Sequence, residues 1–309
     1  MEEPLVLIIG PTAVGKSALA LSLALRHGGA IMSADAMQVY RGFDTGTAKP
    51  TLEDRERVPH FLVDIADPEE DFSAGDYVRA AERALQSVRS RGLRPMMVGG
   101  TGLYVRAFLK GLFQGPARVE SLRKRLRRSA RRGGPGHLHR MLARLDPPTA
   151  ARLMPGDSQK IIRALEVRFA TRRPLSAHLT GSFHGDWRGC DRFPVVKVGL
   201  KMNRRMLWER IEKRVRTFFA QGLVDEVRGL LARGVPEAAN AFKGIGYRQC
   251  LAVIRGRMNE TEAMQRTMVA TRQYARRQMT WFRREEGTHW LEASADPLET
   301  LSSAEALLY

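Results

Sequence analysis

The residues best suited to chemistry in this sequence form a glycine-rich stretch near its start. Residues 10–17 satisfy the pattern G-x-x-x-x-G-K-[ST], between an apolar run at 5–9 and a helix-forming stretch at 16–26. In this context backbone N–H groups wrap an anion, the lysine neutralises phosphate oxygens and the serine hydroxyl can hold Mg²⁺. The pattern predicts a ligand that bears a pyrophosphate, held by Gly10, Thr12, Ala13, Val14, Gly15, Lys16 and Ser17.

A carboxylate follows the second predicted strand. Asp35 comes after the apolar run 30–32, where an open parallel sheet places its ligand crevice. It can accept a proton from a weak nucleophile, with Thr101 as a hydrogen-bonding companion, or it can cap a helix or turn. The fourth predicted strand runs into residues 99–102, Gly-Gly-Thr-Gly, without the carboxylate that supports magnesium in most P-loop NTPases. A standard NTPase is therefore disfavoured.

The elements that must position these residues alternate between strands and helices. Strands are predicted at Leu5–Ile9, Ala30–Met32, Phe61–Val63, Pro95–Val98 and Val195–Leu200, and helices at 16–26 and 74–91, with further amphipathic helices through 207–218 and 268–282. This alternation predicts an α/β fold with a parallel sheet.

The character of the chain changes near Gly115. Strand signals vanish, and residues 118–132 hold eight basic side chains against the single acid Glu120. Apolar residues spaced by three or four positions predict three helices before the glycine-rich stretch at 181–189. We therefore predict a core of residues 1–115 and 190–309, interrupted by a helical insertion domain at 116–189.

The composition of the chain excludes several classes of protein and favours others. The chain has 309 residues, a net charge of +18 and a hydrophobic fraction of 43%, which excludes a wholly disordered chain and raises the chance of a phosphate-rich partner. Cys190 and Cys250 lie far apart without metal-ligand spacing, so we expect neither a disulfide framework nor a zinc site. No apolar run is long enough to span a membrane. We expect a soluble, cytoplasmic protein.

Several stretches together resemble one family, the tRNA dimethylallyltransferases, also called tRNA isopentenyltransferases. The motifs that resemble the family are residues 10–17, 33–40, 46–50, 98–104, 163–167, 244–249 and 270–278. They follow the family's order, and the likeness extends to about Trp290. One departure is Ala36, where the family usually has Ser after the catalytic Asp.

This resemblance implies a P-loop NTPase-like parallel sheet core with a mostly helical insertion domain. It also implies transfer of a dimethylallyl group from dimethylallyl diphosphate to N6 of adenosine 37 of tRNA, next to the anticodon, with release of pyrophosphate. By similarity Asp35 is the base and Thr101 positions the amine. Arg214, and also Arg210 one helical turn earlier, resemble the family's diphosphate-contacting arginine. Mg²⁺, held by Ser17, is the implied cofactor.

The implied partner is the tRNA anticodon stem-loop, and no obligate protein partner is expected. The target adenosine must leave the loop stack, so contacts to it and its neighbours must offset that cost. The resemblance places the RNA contact at Asp35, Ala36, Met37, Gln38, Thr101, Gln159, Lys160, Ile161, Ile162, Arg163, Lys243, Gly244, Ile245, Gly246, Tyr247 and Arg248. In the insertion, we expect backbone contacts from Arg123, Lys124, Arg127 and Arg128.

Three alternatives remain open. A free-nucleotide adenylate isopentenyltransferase would share the P-loop and base but would not need the arginine-rich insertion. A small-molecule kinase would use ATP at the same loop, which the missing acid after the fourth strand disfavours. A non-enzymatic RNA-binding protein would use the loop only as a switch.

Overall fold

A computed structural model describes residues 3–111, 115–116, 118–178, 192–294 and 296–308 of the chain. Two compact units are distinguished: Met1–Gly111 with Asp191–Tyr309, and Leu112–Cys190. The predicted end of the insertion near 181–189, and Cys190, lie outside the described residues. Among the described residues, no helix is both long and apolar enough to cross a membrane.

The first unit is built on a six-stranded sheet in which all pairings are parallel. Its strands are β1 (Leu5–Ile9), β2 (Gly29–Ala34), β3 (His60–Phe61), β4 (Arg94–Gly99), β5 (Val195–Lys201) and β6 (Thr288–Glu292). The strand order is β3-β2-β4-β1-β5-β6. Every residue of β1 is buried, which explains its unbroken apolar sequence. The predicted α/β fold with a parallel sheet is confirmed.

Helices complete this unit. They are α1 (Lys16–His27), α2 (Leu52–Arg57), α3 (Ala74–Ser90), α4 (Gly102–Lys110), α10 (Arg204–Ala220), α11 (Leu223–Ala232), α12 (Tyr247–Ile254), α13 (Glu260–Phe282) and α14 (Pro297–Leu308). The helices numbered between α4 and α10 belong to the second unit and are given below. Ser73 and Asp76 form a capping box that starts α3, as Thr51 and Asp54 do for α2.

The pairing of β1, β2 and β4 places the carboxyl ends of these three strands side by side. Ile9 and Ala34 each pair with Gly99, so β1, β2 and β4 end side by side at the carboxyl edge of the sheet. The segments that follow them are the glycine-rich residues 10–17, called the P-loop below, then Asp35, and the turn that contains Thr101. This edge is the switch point where parallel α/β folds place their ligands.

The predicted third strand is wrong in its extent. β3 contains only His60–Phe61 instead of residues 61–63. Leu62 adopts φ 67°, a left-handed conformation that turns the chain out of the sheet, and Asp64 does the same at φ 57°. The edge strand β6 and the helices α2, α4, α11, α12 and α14 were not predicted.

The second unit is helical among the residues that the structure describes. It contains α5 (Glu120–Gly133), α6 (His137–Leu145), α7 (Pro147–Ala151), α8 (Ser158–Thr171) and α9 (Leu175–His178). Its core is formed by Leu126, Leu138, Leu142, Ala150, Ile161, Ile162, Ala164 and Leu165. The three amphipathic helices predicted in this region correspond to α5, α6 and α8.

Candidate active site

The P-loop adopts a conformation that its glycines make possible. Gly10 has φ 147°, and a Cβ there would lie 2.4 Å from the carbonyl oxygen of Leu200. Gly15, at φ 110°, precedes α1 and turns the chain into the helix. The first amides of α1, including those of Lys16 and Ser17, have no acceptor within the helix and are free to face an anion.

The side chain of Lys16 forms a hydrogen bond within its own loop. Its Nζ donates to the carbonyl oxygen of Pro11 at 2.7 Å. Burial, together with the nearby positive charge of Arg214, lowers the pKa of Lys16 to about 7, although Asp35 opposes the shift. An anion at the loop would supply the counter-charge that this ammonium lacks, so binding of a diphosphate favours its protonated form.

Two arginines of α10 approach the same loop. Arg214 donates from Nη1 to Oγ1 of Thr12 at 3.3 Å, and burial lowers its pKa while Asp35 raises it. Arg210 donates to the carbonyl oxygen of Ser294 at 3.5 Å, and its Nη1 lies 3.8 Å from where a Cβ on Gly15 would stand. Together with Ala13, Lys213, Thr217 and Phe218 they line a cavity of about 350 Å³. The site is therefore strongly cationic on this side.

Asp35 and Thr101 are brought together at the neighbouring strand ends. The amide of Ala36 donates to Oγ1 of Thr101 at 3.0 Å, and the amide of Thr101 donates to the carbonyl oxygen of Ala34 at 3.1 Å. Asp35 Oδ1 accepts from the amides of Met37 and Gln38, so the carboxylate does cap a turn. Within the described part of the chain, no group donates a hydrogen bond to its other oxygen, Oδ2, which leaves that atom for a substrate.

Gln38 has an internal role that its sequence position did not reveal. Its Oε1 accepts from the Ser33 hydroxyl at 2.7 Å, while its Nε2 donates to the carbonyl oxygens of Thr47 and Ala48. The side-chain amide of Gln38, which the resemblance places at the RNA contact, is thus already engaged within the protein. It fixes the turn at 45–47 against the segment that carries Asp35.

The segment 243–248 divides into exposed and buried residues. Lys243 and Arg248 are exposed, and Lys243 contacts Asn240. Tyr247 is buried, with its hydroxyl donating to Glu226 at 2.7 Å and accepting from the amide of Gly46 at 3.1 Å. Its predicted RNA contact is corrected to a structural contact. Gly244 and Gly246 are buried too, and a Cβ on Gly244 would stand 2.6 Å from the Met37 methyl group.

In the helical unit, two predicted RNA-contacting arginines pair with an acid instead. Arg123 donates twice to Glu166, at 2.8 and 3.0 Å, and its side chain is only 12% exposed. Arg163 donates to the same carboxylate at 2.8 Å and to the carbonyl oxygen of Pro116. These contacts hold the pKa of Glu166 near 2 despite its burial. The backbone contact expected of Arg123 stays a prediction, and its guanidinium already takes part in a buried ion pair.

The other predicted contacts on α8 also separate by burial. Ile161 and Ile162 lie in the core of the helical unit, which corrects the prediction that they contact RNA. Gln159 and Lys160 are exposed, and Lys160 pairs with Asp157 at 3.2 Å. Ile245 of the first unit is half-buried.

The side of the site that α13 forms was not predicted from the sequence. Tyr274 and Gln278, one turn apart on α13, both donate to the carbonyl oxygen of Gly100, at 3.4 and 2.9 Å. Burial and the nearby Asp35 raise the pKa of Tyr274 to about 12, so it remains a hydrogen-bond donor at neutral pH. The motif at 270–278 marked the helix, but no local pattern in the sequence identified these two polar side chains as contacts of Gly100.

Comparison with known proteins gives a consistent result. A family model described as IPP transferase matches residues 38–285, a range that starts after the P-loop. A tRNA dimethylallyltransferase from Geobacter metallireducens is 48% identical over 288 residues, covering 93% of this chain and 92% of that relative. Another, from Koribacter versatilis, is 43% identical over 305 residues and covers 98% of both chains.

Solved structures resemble this chain along its length. The full-length tRNA isopentenylpyrophosphate transferase from Bacillus halodurans has a TM-score of 0.71 at 36% identity, over 99% of this chain and 97% of that one. A eukaryotic dimethylallyltransferase acting on tRNA has a TM-score of 0.81 at 24% identity, over 99% of this chain and 78% of that one. At that identity the second likeness shows the fold alone.

Proposed function

Since the chain belongs to the IPP transferase family and is an enzyme that prenylates tRNA, we propose that it transfers a dimethylallyl group from dimethylallyl diphosphate to N6 of adenosine 37. The observation that supports this most directly is the shared edge of the sheet. There the cationic P-loop, after β1, and the carboxylate of Asp35, after β2, lie on either side of the end of β4, and no described group donates a hydrogen bond to Oδ2 of that carboxylate.

The reaction forms one bond and breaks another. The N6 nitrogen bonds to the allylic carbon, the C–O bond to the diphosphate breaks, and one N6 proton passes to a base. An exocyclic amine conjugated to a purine is a poor nucleophile, so a base within hydrogen-bond reach is useful. Asp35 Oδ2 is suited to that role, and the hydroxyl of Thr101 can orient the amine. Arg214 donates its hydrogen bond to Thr12 and not to Asp35.

The leaving group is an anion whose charge grows as the C–O bond breaks. Preorganised donors aimed at that charge lower the barrier most. Lys16, Arg210, Arg214 and the amides at the start of α1 supply such donors around the loop. Because Lys16 is desolvated, its charge acts in a medium where electrostatic interactions are stronger than in water.

The donor set of the loop fits Mg²⁺. Ser17 is an exposed hydroxyl at the start of α1, and Mg²⁺ takes oxygen ligands from one or two protein groups together with substrate phosphates and water. The described residues contain no cluster of three or more acids, histidines or cysteines, so such an ion would depend on the diphosphate for most of its ligands. When bound, it would neutralise charge on the departing pyrophosphate.

We propose the tRNA anticodon stem-loop as the partner. Its single-stranded loop can present an extruded base to Asp35, at a cost of a few kcal/mol that contacts to the base and its neighbours offset. Exposed Arg248 and Lys243 can reach phosphates or bases beside the segment that carries Asp35. Cytoplasmic location and the lack of an obligate protein partner stay predictions.

The test is nucleoside mass spectrometry of unmodified tRNA incubated with the protein, Mg²⁺ and dimethylallyl diphosphate, beside a reaction that contains free AMP. We expect a prenyl mass gain on one tRNA adenosine, lost in an Asp35→Ala variant that still binds tRNA. Gain on AMP alone would identify a free-nucleotide transferase. Gain on neither, with ATP consumed in a parallel reaction, would identify a kinase.

A further inference from the structure

A single buried side chain joins the two halves of the candidate active site. Gln278 of α13 accepts a hydrogen bond at Oε1 from the amide of Thr12, at 2.8 Å, across 266 positions of the chain. Its Nε2 donates to the carbonyl oxygen of Gly100 at 2.9 Å. The residue is 5% exposed. One carboxamide therefore connects the P-loop to the turn that precedes Thr101.

The fit around this carboxamide is close. A Cβ on Gly100 would stand 2.0 Å from Nε2 of Gln278, so only glycine lets the backbone approach it. Trp281, less than one turn further along α13, packs on the same turn, where a Cβ on Gly102 would stand 2.3 Å from the indole ring. Of these two α13 side chains, Gln278 is the one that also contacts the P-loop, at Thr12.

Each end of the bridge lies next to a group with a proposed chemical role. Thr12 receives the Arg214 guanidinium at its hydroxyl, on the diphosphate side. Gly100 precedes Thr101, whose hydroxyl accepts from the amide of Ala36, beside Asp35. A continuous path of hydrogen bonds and covalent bonds thus runs from the diphosphate loop to the base.

We propose that Gln278 is a positioning residue that sets the separation of the diphosphate loop from Thr101 and Asp35, so that diphosphate binding at the loop orders the amine site. This proposal rests on the proposed function for its chemical meaning. A primary amide suits the role because it donates at one end and accepts at the other. A carboxylate cannot donate to Gly100, and a shorter amide cannot span the same gap.

The experiment uses Gln278→Glu in the full-length protein. This change keeps an acceptor for the Thr12 amide and places a negative oxygen against the Gly100 carbonyl. We expect the dissociation constant for dimethylallyl diphosphate to stay within about threefold, while the single-turnover rate on saturating tRNA falls by about tenfold or more, because a misplacement of about 1 Å can cost a hundredfold. Gln273→Glu, at an exposed position on the same helix, is the matched control and should leave both unchanged.

A second measurement does not depend on turnover. Hydrogen–deuterium exchange of the peptide that spans residues 99–103 is compared with and without inorganic pyrophosphate. We expect pyrophosphate to slow exchange there in the wild type and in Gln273→Glu but not in Gln278→Glu. Equal protection in all three proteins would overturn the proposal, as would an unchanged single-turnover rate. Wild-type protection without any prenyl transfer would instead retain the coupling and reject the proposed function.

Discussion

At the scale of single residues, Lys16 is the side chain whose environment points most clearly to ligand binding and not to packing. It is desolvated, its pKa lies near 7, and its hydrogen bond to Pro11 is local. Lys16→Ala should therefore weaken dimethylallyl diphosphate binding by about tenfold or more, since a charge-assisted hydrogen bond to phosphate contributes on the order of 1.5–3 kcal/mol. The melting temperature should not fall, because the variant removes a buried charge.

Titration calorimetry and thermal unfolding check this prediction. Lys213→Ala is the matched control, since Lys213 lines the cavity beside the P-loop with Ala13 and Arg214 but is exposed on α10. Equal losses of affinity in the two variants would mean that the loop responds only to the overall positive charge. Unchanged affinity in Lys16→Ala would remove Lys16 from the diphosphate site.

The sequence predicted those site residues that belong to a local pattern. The P-loop is one continuous motif, and Asp35 and Thr101 are each found by their place after a strand. Gln278 was not predicted as a bridge because its partners lie 266 and 178 positions away, and a polar residue on a basic helix has no local signal of burial. Ile161 and Ile162 were predicted to contact RNA but lie in the core of the helical unit. A family motif does not separate residues that face RNA from residues that support them.

At the scale of elements, the buried carboxylate of Glu166 joins α5 to α8. It accepts from Arg123, Arg163 and the amide of Val119, at the N-terminus of α5. Its pKa, near 2, lies below the ordinary value of 4.5, so the folded state binds fewer protons here than the unfolded chain. The stabilisation is therefore present above pH 4.5 and is lost as the pH falls toward 2.

Glu166→Gln should destabilise the helical unit by about 3 kcal/mol near neutral pH, because it leaves two guanidinium groups without their buried counter-charge. The difference from the wild type should shrink as the pH is lowered from 4.5 toward 2. Urea unfolding followed by circular dichroism measures both. Glu120→Gln, which breaks the exposed pair with Arg127, should change little. A constant difference at all pH values would contradict the assignment of the pKa to Glu166.

Element prediction succeeded for the central strands and several amphipathic helices, but it missed the sheet edges and the helices α2, α4, α11, α12 and α14. The central strands and the amphipathic helices α5, α6, α8, α10 and α13 follow the expected patterns. The sheet edges did not: β3 ends after two residues, and β6 mixes exposed and half-buried positions because it has a neighbour on one side only. Such strands lack the apolar run that marks a strand buried on both faces.

At the scale of the whole molecule, the net charge of +18 predicts RNA binding that depends strongly on salt. The structure indicates which charges are available. On α5, Arg123 and Arg127 are paired with Glu166 and Glu120. On another side of the same helix, Arg125, Arg128 and Arg132 line a pocket of about 430 Å³ with Ser129 and His137, and none of the three has an acidic partner among the described residues.

Neighbouring arginines on α5 therefore make a matched pair. Arg128→Ala should reduce the slope of log K against log salt for an anticodon stem-loop by about 0.7–0.9, since each phosphate contact releases nearly one counterion, whereas Arg127→Ala should reduce it by much less. Fluorescence anisotropy across a salt series measures the slopes, and dimethylallyl diphosphate binding should be unchanged in both variants. Equal slopes in the two variants would show that α5 acts only through its total charge. The distinction matters for the whole molecule because an unpaired arginine can release a counterion on binding RNA, whereas a paired one must first give up its carboxylate.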